Sequence, residues 1–294
     1  MTTRAGIVTV AGRPNAGKST LLNRLVGTHL AITSPKPQST RDRIVGIVSD
    51  DTTQIVLHDT PGLLEPEYAL HAAMRASALQ ALADADVIVH VVDASTGVTE
   101  PLAVAAALPP ERMPRAPVVL ALNKSDILST GRGQALRSEY PDAVLISATT
   151  GDGIDTLLAR VRALLPEHPF YYDAEDLSTQ QTRFFASEFI RETALEQLED
   201  EVPYSIACEI EEFRETRSPV YIRAVLHVER DSQKRILIGS GGARIKAIGK
   251  AARVKIERLI DSPVYLDLWV KVLPNWRRDS AALRRLGYRV PEDG

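Results

Sequence analysis

The chain has 294 residues, 44% hydrophobic and 25% charged, with a formal net charge of −3. That length and balance predict about two globular domains and exclude a disordered or fibrous protein. A single cysteine, Cys208, excludes an internal disulfide and reads as a small buried apolar residue in a reducing compartment. No apolar run nears the ~18 residues of a membrane span and the opening MTTRAG lacks a signal peptide's apolar core, so a soluble cytoplasmic protein is expected.

In chain order, a strand over Ile7–Ala11 enters Gly12-Arg13-Pro14-Asn15-Ala16-Gly17-Lys18-Ser19, and a helix over Lys18–Val26 leaves it. The octapeptide fits G-x-x-x-x-G-K-[ST], a loop whose N–H groups and helix N-terminus cradle phosphates. Lys18 would reach the β- and γ-phosphates, Ser19 would ligate Mg2+, and Thr20 is a further expected GTP-binding residue. Thr40, in Ser39-Thr40-Arg41, is the candidate second Mg2+ ligand from a loop that orders around the γ-phosphate. Strands are expected at Ile44–Val48 and Ile55–His58. The second runs into Asp59-Thr60-Pro61-Gly62, where Asp59 would hold Mg2+ through a water and the Gly62 N–H would approach the γ-phosphate. Lys18, Thr40 and Gly62 are therefore the expected catalytic positions.

A helix over Ala69–Ala83 and a strand over Val87–Val92 follow. The next strand, Val118–Leu122, delivers Asn123-Lys124-Ser125-Asp126. A carboxylate at Asp126 accepts from both N1–H and the 2-amino group of guanine, donors that adenine lacks. Lys124 would lie over the base and Asn123 would tie this loop to the phosphate loop. After a strand over Ala143–Ile146 come Ser147 and Ala148, the Ala148 N–H being expected at the guanine O6. A helix over Ile154–Leu165 completes an alternation that predicts an α/β domain with a mostly parallel, doubly wound sheet, its ligand at the strands' carboxyl ends.

Two prolines within residues 166–169 break this pattern. The expected organisation is a nucleotide domain over 1–168, a linker over 169–182 and a second domain over 183–294. The second half reads as helix Arg183–Leu198, strands Tyr204–Phe213 and Val220–Val228, helices Ala243–Ile248 and Gly249–Leu259, strand Val264–Val272 and a last helical stretch, Ser280–Leu286. Its charge is segregated: ten acidic against two basic residues from Glu188 to Glu215, then nine basic against two acidic from Arg230 to Arg258. By charge alone such a basic block is either an anion-binding face or a solvated helix surface. Within it, Gly239-Ser240-Gly241-Gly242 lies between the strand-like Ile236–Ile238 and a helix. This is the GxxG pattern of a KH loop, which clamps about four single-stranded nucleotides. Arg244, Lys246, Lys250 and Arg253 would pair with phosphates, and Ile236, Ile238 and Ile245 would line an apolar groove for bases.

The five ordered nucleotide motifs resemble the translation-factor-related GTPases. A single such domain followed by a type II KH domain is similar to the Era family, on GRPNAGKST, QSTRDRIVGI, HDTPGL, NKSD, ILIGSGGARIKAIGKAAR and Trp276-Arg277-Arg278. The resemblance implies slow, Mg2+-dependent hydrolysis of GTP to GDP and binding of the 3′ end of 16S ribosomal RNA in 30S subunit assembly. It also implies a monomer with peripheral inner-membrane contact. Two departures stand out. Leu63 occupies the place of the Ras-like water-orienting glutamine, and related GTPases with an asparagine at position 15 use it to bind K+. The loop also carries Ser240-Gly241 where KH domains often have a basic residue. Two other readings stay open: a nucleotide-regulated binding module for protein or membrane with incidental hydrolysis, and an ATPase.

Overall fold

The computed structural model describes residues 2–96, 99–216 and 218–291. Its contacts divide the chain into two compact units, Met1–Pro66 with Met74–Thr179 and Glu67–Ala73 with Gln180–Gly294.

The first unit contains β1 (Arg4–Ala11), α1 (Lys18–Val26), β2 (Ile44–Ser49), β3 (Thr53–Asp59), most of α2 (Ala69–Ala83), β4 (Val87–Asp93), α3 (Leu102–Ala105), β5 (Val118–Asn123), α4 (Thr130–Glu139), β6 (Val144–Leu145) and α5 (Ile154–Leu164). The sheet order is β2-β3-β1-β4-β5-β6. Every pairing is parallel except β2 with β3. β3 is buried along its whole length and β4 along all but its last residue, as expected of strands covered on both faces. The carboxyl ends of β1, β3, β5 and β6 therefore deliver all four motif loops to one edge. α4 was not anticipated: Gly131 and Gly133 mask it, although the Ser129 side chain caps its start by accepting from the Arg132 N–H. Past β6 the chain stays on this unit. Buried Gln54 holds the Tyr171 and Tyr172 N–H groups and the Tyr172 carbonyl, while the Ile47 N–H donates to the Leu177 carbonyl.

The second unit contains α6 (Thr182–Gln197), β7 (Ala207–Arg214), β8 (Val220–Val228), α7 (Asp231–Ile238), α8 (Ala243–Ile260), β9 (Val264–Val272) and α9 (Ser280–Arg285). Its sheet order is β7-β8-β9, with β7 antiparallel and β9 parallel to β8. Phe189 and Ile190 of α6, Ile222 and Leu226 of β8, and Ile248, Ala252 and Ile256 of α8 share one core. Two expectations are corrected. Ile236–Ile238 is the end of a helix, because Gln233 accepts from the Glu229 and Arg230 N–H groups at the start of the turn and only Leu237 of the run is fully buried. The two helices expected at Ala243–Ile248 and Gly249–Leu259 are one, α8, running unbroken through Gly249.

Candidate functional site

Gly17 caps α1 with a left-handed backbone, φ 95°. A Cβ there would collide with the Asn123 carboxamide, so the residue that opens the helix is dictated by a neighbouring loop. Asn123 is the strut between three loops. Its Nδ2 donates to the Ala16 carbonyl at 2.8 Å, and its Oδ1 accepts from the Ala148 N–H at 2.9 Å, both buried. The Ala148 N–H, expected at guanine O6, is directed at Asn123 in this structure. Ser147 donates to Asp126 Oδ1 at 2.6 Å and so orients that carboxylate. Asp126 is exposed. Lys124 reaches across to Asp93 at 2.6 Å; burial pushes that carboxyl up, but hydrogen bonds from Lys124 and Ser95 carry it below its ordinary range.

The phosphate side is drier. Lys18 is buried with Nζ donating to the Arg13 carbonyl at 2.9 Å, and burial pulls its ammonium down to about 8 against the pull of Asp59. Burial likewise raises the Asp59 carboxyl to about 6, opposed by Lys18 and by hydrogen bonds from Ser19 and Thr40. Ser19 Oγ lies 2.6 Å from Asp59 Oδ2 and 2.9 Å from Thr40 Oγ1. Three hard oxygen donors from three loops thus converge, and Asp59 Oδ1 is buried with no hydrogen-bond partner among the described residues. That donor set, completed by phosphate oxygens, suits Mg2+. Among the described residues no group of three His, Cys, Asp or Glu forms an alternative metal cluster.

Pro14, Asn15, Gly17, Lys18, Ser19, Thr20, Thr40, Gly62 and Lys124 line one cavity of about 450 Å³. Thr60 fixes the Asp59–Gly62 turn by donating to the Val10 carbonyl at 3.0 Å, and Pro61 is buried beside it. Gly62 sits so close to the phosphate loop that a Cβ would lie 2.6 Å from Pro14 Cγ. Leu63 is 4% exposed and packs in a core cluster with Ala78, Leu82 and Ile88, so its side chain is withdrawn from the phosphates. Asn15, at φ 62°, donates to the Pro35 carbonyl at 2.9 Å and joins the phosphate loop to the 33–43 segment. Arg13 forms a two-point pair with Glu100.

In the second unit, Gly239 and Gly241 both adopt positive φ, and Gly242 caps α8 in the left-handed region. Ser240 and Arg244 are exposed beside this turn. A groove of about 440 Å³ runs between α8 and β9, lined by Ile245, Lys246, Gly249, Lys250, Arg253, Tyr265, Leu266 and Leu268. Its cations and Ile245 were anticipated. Ile236 and Ile238, also expected in the groove, lie on α7 just before the Gly239 turn; Leu266 and Leu268 supply apolar wall beside Ile245. The signal for them was the alternation Val264-Tyr265-Leu266-Asp267-Leu268-Trp269, which puts the leucines on one face and the rings on the other. Gly249 lets helix and strand approach, since a Cβ would stand 3.3 Å from Leu268 Cδ1. Lys255, counted in the basic block, is taken by Glu192 and Glu196 at 2.8 Å each.

A family model described as 50S ribosome-binding GTPase matches residues 7–124, and one described as KH domain matches residues 201–277. The chain is 42% identical over 300 residues to the GTPase Era of Geobacter metallireducens, covering 97% of this chain and 98% of that one. Two solved structures align with a TM-score of 0.89 at 35% identity over 98% of this chain and all of theirs. One is a point variant of Aquifex aeolicus Era bound to GDP·AlF4−; the other is Era with MgGDPNP and nucleotides 1506–1542 of 16S ribosomal RNA.

Proposed function

The chain belongs to the GTPase Era family, and on that premise we propose that it is a guanine-nucleotide switch that binds GTP with Mg2+, hydrolyses it to GDP and phosphate, and so times capture of the single-stranded 3′ end of 16S ribosomal RNA in 30S subunit assembly. The observation that carries the reading is the convergence of Lys18, Ser19, Thr40, Gly62 and Lys124 on one cavity. Its guanine-reading edge is Asp126, oriented by Ser147. Ser19, Thr40 and Asp59 would hold Mg2+, which would neutralise charge developing on the β- and γ-phosphates. Lys18, desolvated by its burial, holds the γ-phosphate oxygens; the anion restores its full charge. Thr40 and the Gly62 N–H bring their loops onto the γ-phosphate and leave it when phosphate departs.

Hydrolysis is slow on this reading. Leu63 is packed in the core and has no polar atom with which to orient water, and Arg13 is held by Glu100. Asn15 would hold a monovalent cation, K+, which would supply the missing transition-state charge; the Asn15–Pro35 hydrogen bond supports this by placing that amide between the phosphate loop and the 33–43 segment.

For RNA, the α8–β9 groove takes bases against Ile245, Leu266 and Leu268, while Lys246, Lys250 and Arg253 meet phosphates and Gly239, Ser240, Gly241, Gly242 and Arg244 grip the backbone. The domain bounds that fit this division of labour are 1–168 and 183–294 around a linker at 169–182. A monomer acting in the cytoplasm with peripheral membrane contact fits the same reading; no described helix is long and apolar enough to cross a membrane. The small-subunit reading is supported by the Era structure that holds nucleotides 1506–1542 of 16S ribosomal RNA. The test is crosslinking in cells with a non-hydrolysable GTP analogue bound. Enrichment of the 3′ end of 16S ribosomal RNA is expected, and a spread over unrelated RNAs contradicts it.

A further inference from the structure

The groove between α8 and β9 ends at Tyr265, and there the chain turns a corner that RNA can follow. Along β9 the residues Tyr265, Asp267 and Trp269 point to the sheet face opposite Leu266 and Leu268. Tyr265 and Trp269 are 58% and 55% exposed, the largest aromatic exposures in this unit. In register with them, β8 sets Tyr221 beside Tyr265 and Arg223 beside Asp267. The two tyrosine rings stack at 5.8 Å and 11°. The Arg214 and Arg223 guanidinium carbons lie 5.5 and 5.7 Å from the Tyr221 ring centre.

The Tyr221 ring is held in place from below. Asp267 accepts from the Tyr221 hydroxyl at 3.1 Å and from Arg223 Nε at 3.0 Å. One carboxylate thus anchors an aromatic ring and a guanidinium plane. A patch of loose hydrophobic rings at a surface would need no such hub. Fixing exposed rings in advance lowers the entropy cost of whatever stacks on them.

We propose that this outer face of the sheet is a second single-strand RNA platform, continuous with the groove through Tyr265, on which bases leaving the groove stack against Tyr265, Tyr221 and Trp269. The proposal rests on the reading of the groove as an RNA site. Three features favour RNA as the occupant. The face joins the groove at a shared residue. Flat rings and guanidinium planes are the surfaces on which splayed-out bases stack. The acids that the register places on it, Asp267, Glu212 and Glu209, are already paired with Arg223, Arg214 and Arg285, so a polyanion meets neutralised charge. Because a KH groove accounts for only about four nucleotides, a longer strand has to lie somewhere beyond it.

Tryptophan emission reads the platform directly. The chain has two tryptophans; Trp276 is fully buried with its indole N–H on the Ser205 carbonyl, so quenching by a stacked base reports Trp269. The probes are the 3′-terminal stretch of 16S ribosomal RNA, about twelve nucleotides, and four-nucleotide segments of it. The short segments should bind without quenching; the long strand should bind about tenfold or more tighter per added stack and quench. Trp269→Ala with Tyr265→Ala should remove the gain from length, Trp269→Phe should retain most of it, and the salt dependence should not change because no phosphate contact is lost. Equal affinity for long and short RNA with unquenched emission overturns the platform alone. A length gain that survives the double variant also overturns it and points to another surface. Failure of every RNA to bind overturns both the platform and the groove reading beneath it.

Discussion

Replacing Asn123 with alanine tests whether the guanine loop is a strut as well as a ligand. The side chain is 2% exposed and holds two buried backbone groups, the Ala16 carbonyl and the Ala148 N–H. Alanine leaves both without a partner. Each orphaned buried group costs about 1–3 kcal/mol, so Asn123→Ala should destabilise the nucleotide unit by about 2–6 kcal/mol before any nucleotide is added. For a unit of this size that is a fall in Tm of roughly 4–24 °C. The assay is thermal unfolding by circular dichroism, following the transition that GDP shifts upward. Asp126→Asn is the control: Asp126 is exposed, and asparagine keeps an acceptor for Ser147, so the melt should stay put while guanine affinity falls. If Asn123→Ala melts with the unmodified chain and loses only nucleotide affinity, the strut argument is wrong and Asn123 acts as a ligand alone.

Asp126→Asn should lower GTP affinity about 100-fold or more, because the two guanine donors lose their carboxylate, and should raise affinity for xanthosine triphosphate, whose 2-oxo group accepts from the new amide; competition binding decides, and unchanged GTP binding would favour the ATPase reading. GTP turnover should be faster in K+ than in Na+, with the difference abolished by Asn15→Ala; equal rates in both salts remove the cation from the mechanism. Lys250→Ala should weaken RNA binding across sequences and flatten the slope of log K against log salt by about 0.7, one phosphate contact on a single strand; an unchanged slope removes Lys250 from the groove. His90, 3% exposed, is pulled down to about 4 by burial, with Glu100 raising and Lys18 lowering it. Its folded pKa lies below the unfolded value near 6.5, so the unfolded chain binds the extra proton and stability falls as pH drops from 6.5 toward 4. At pH 5 the loss is about 2 kcal/mol, and His90→Gln should abolish that share of the pH dependence in unfolding measurements.

The nucleotide site was legible because each motif follows a strand whose apolar run is unmistakable, and parallel strands gather their carboxyl ends at one edge. What the linear pattern hid was the direction in which single atoms spend their hydrogen bonds. Nothing in Ser147-Ala148 says that the Ala148 N–H turns to Asn123, because the partner lies 25 residues away. Leu63 was recognised as unable to orient water, but its place in the core with Leu82 and Ile88 depends on tertiary packing. In the second unit the isoleucines of Ile236–Ile238 suggested a strand through β-branching, whereas the Gln233 cap and the Gly239 stop made them the last turn of α7. The groove's apolar wall lay in the neighbouring strand, whose two-residue alternation was visible but whose pairing beside α8 was not. Gly249 looked like a helix break; its role is close approach to Leu268, and α8 runs through it.

The central claim is that the nucleotide times RNA capture. Linkage makes it measurable from either side: if GTP tightens RNA binding by some factor, RNA must tighten GTP binding by the same factor. The direct measurement is the affinity of the full chain for the 3′-terminal strand of 16S ribosomal RNA with a non-hydrolysable GTP analogue and with GDP. Tighter binding is predicted with the analogue, by roughly 5–150-fold for a coupling of ordinary size. Equal affinity in the two states would contradict it.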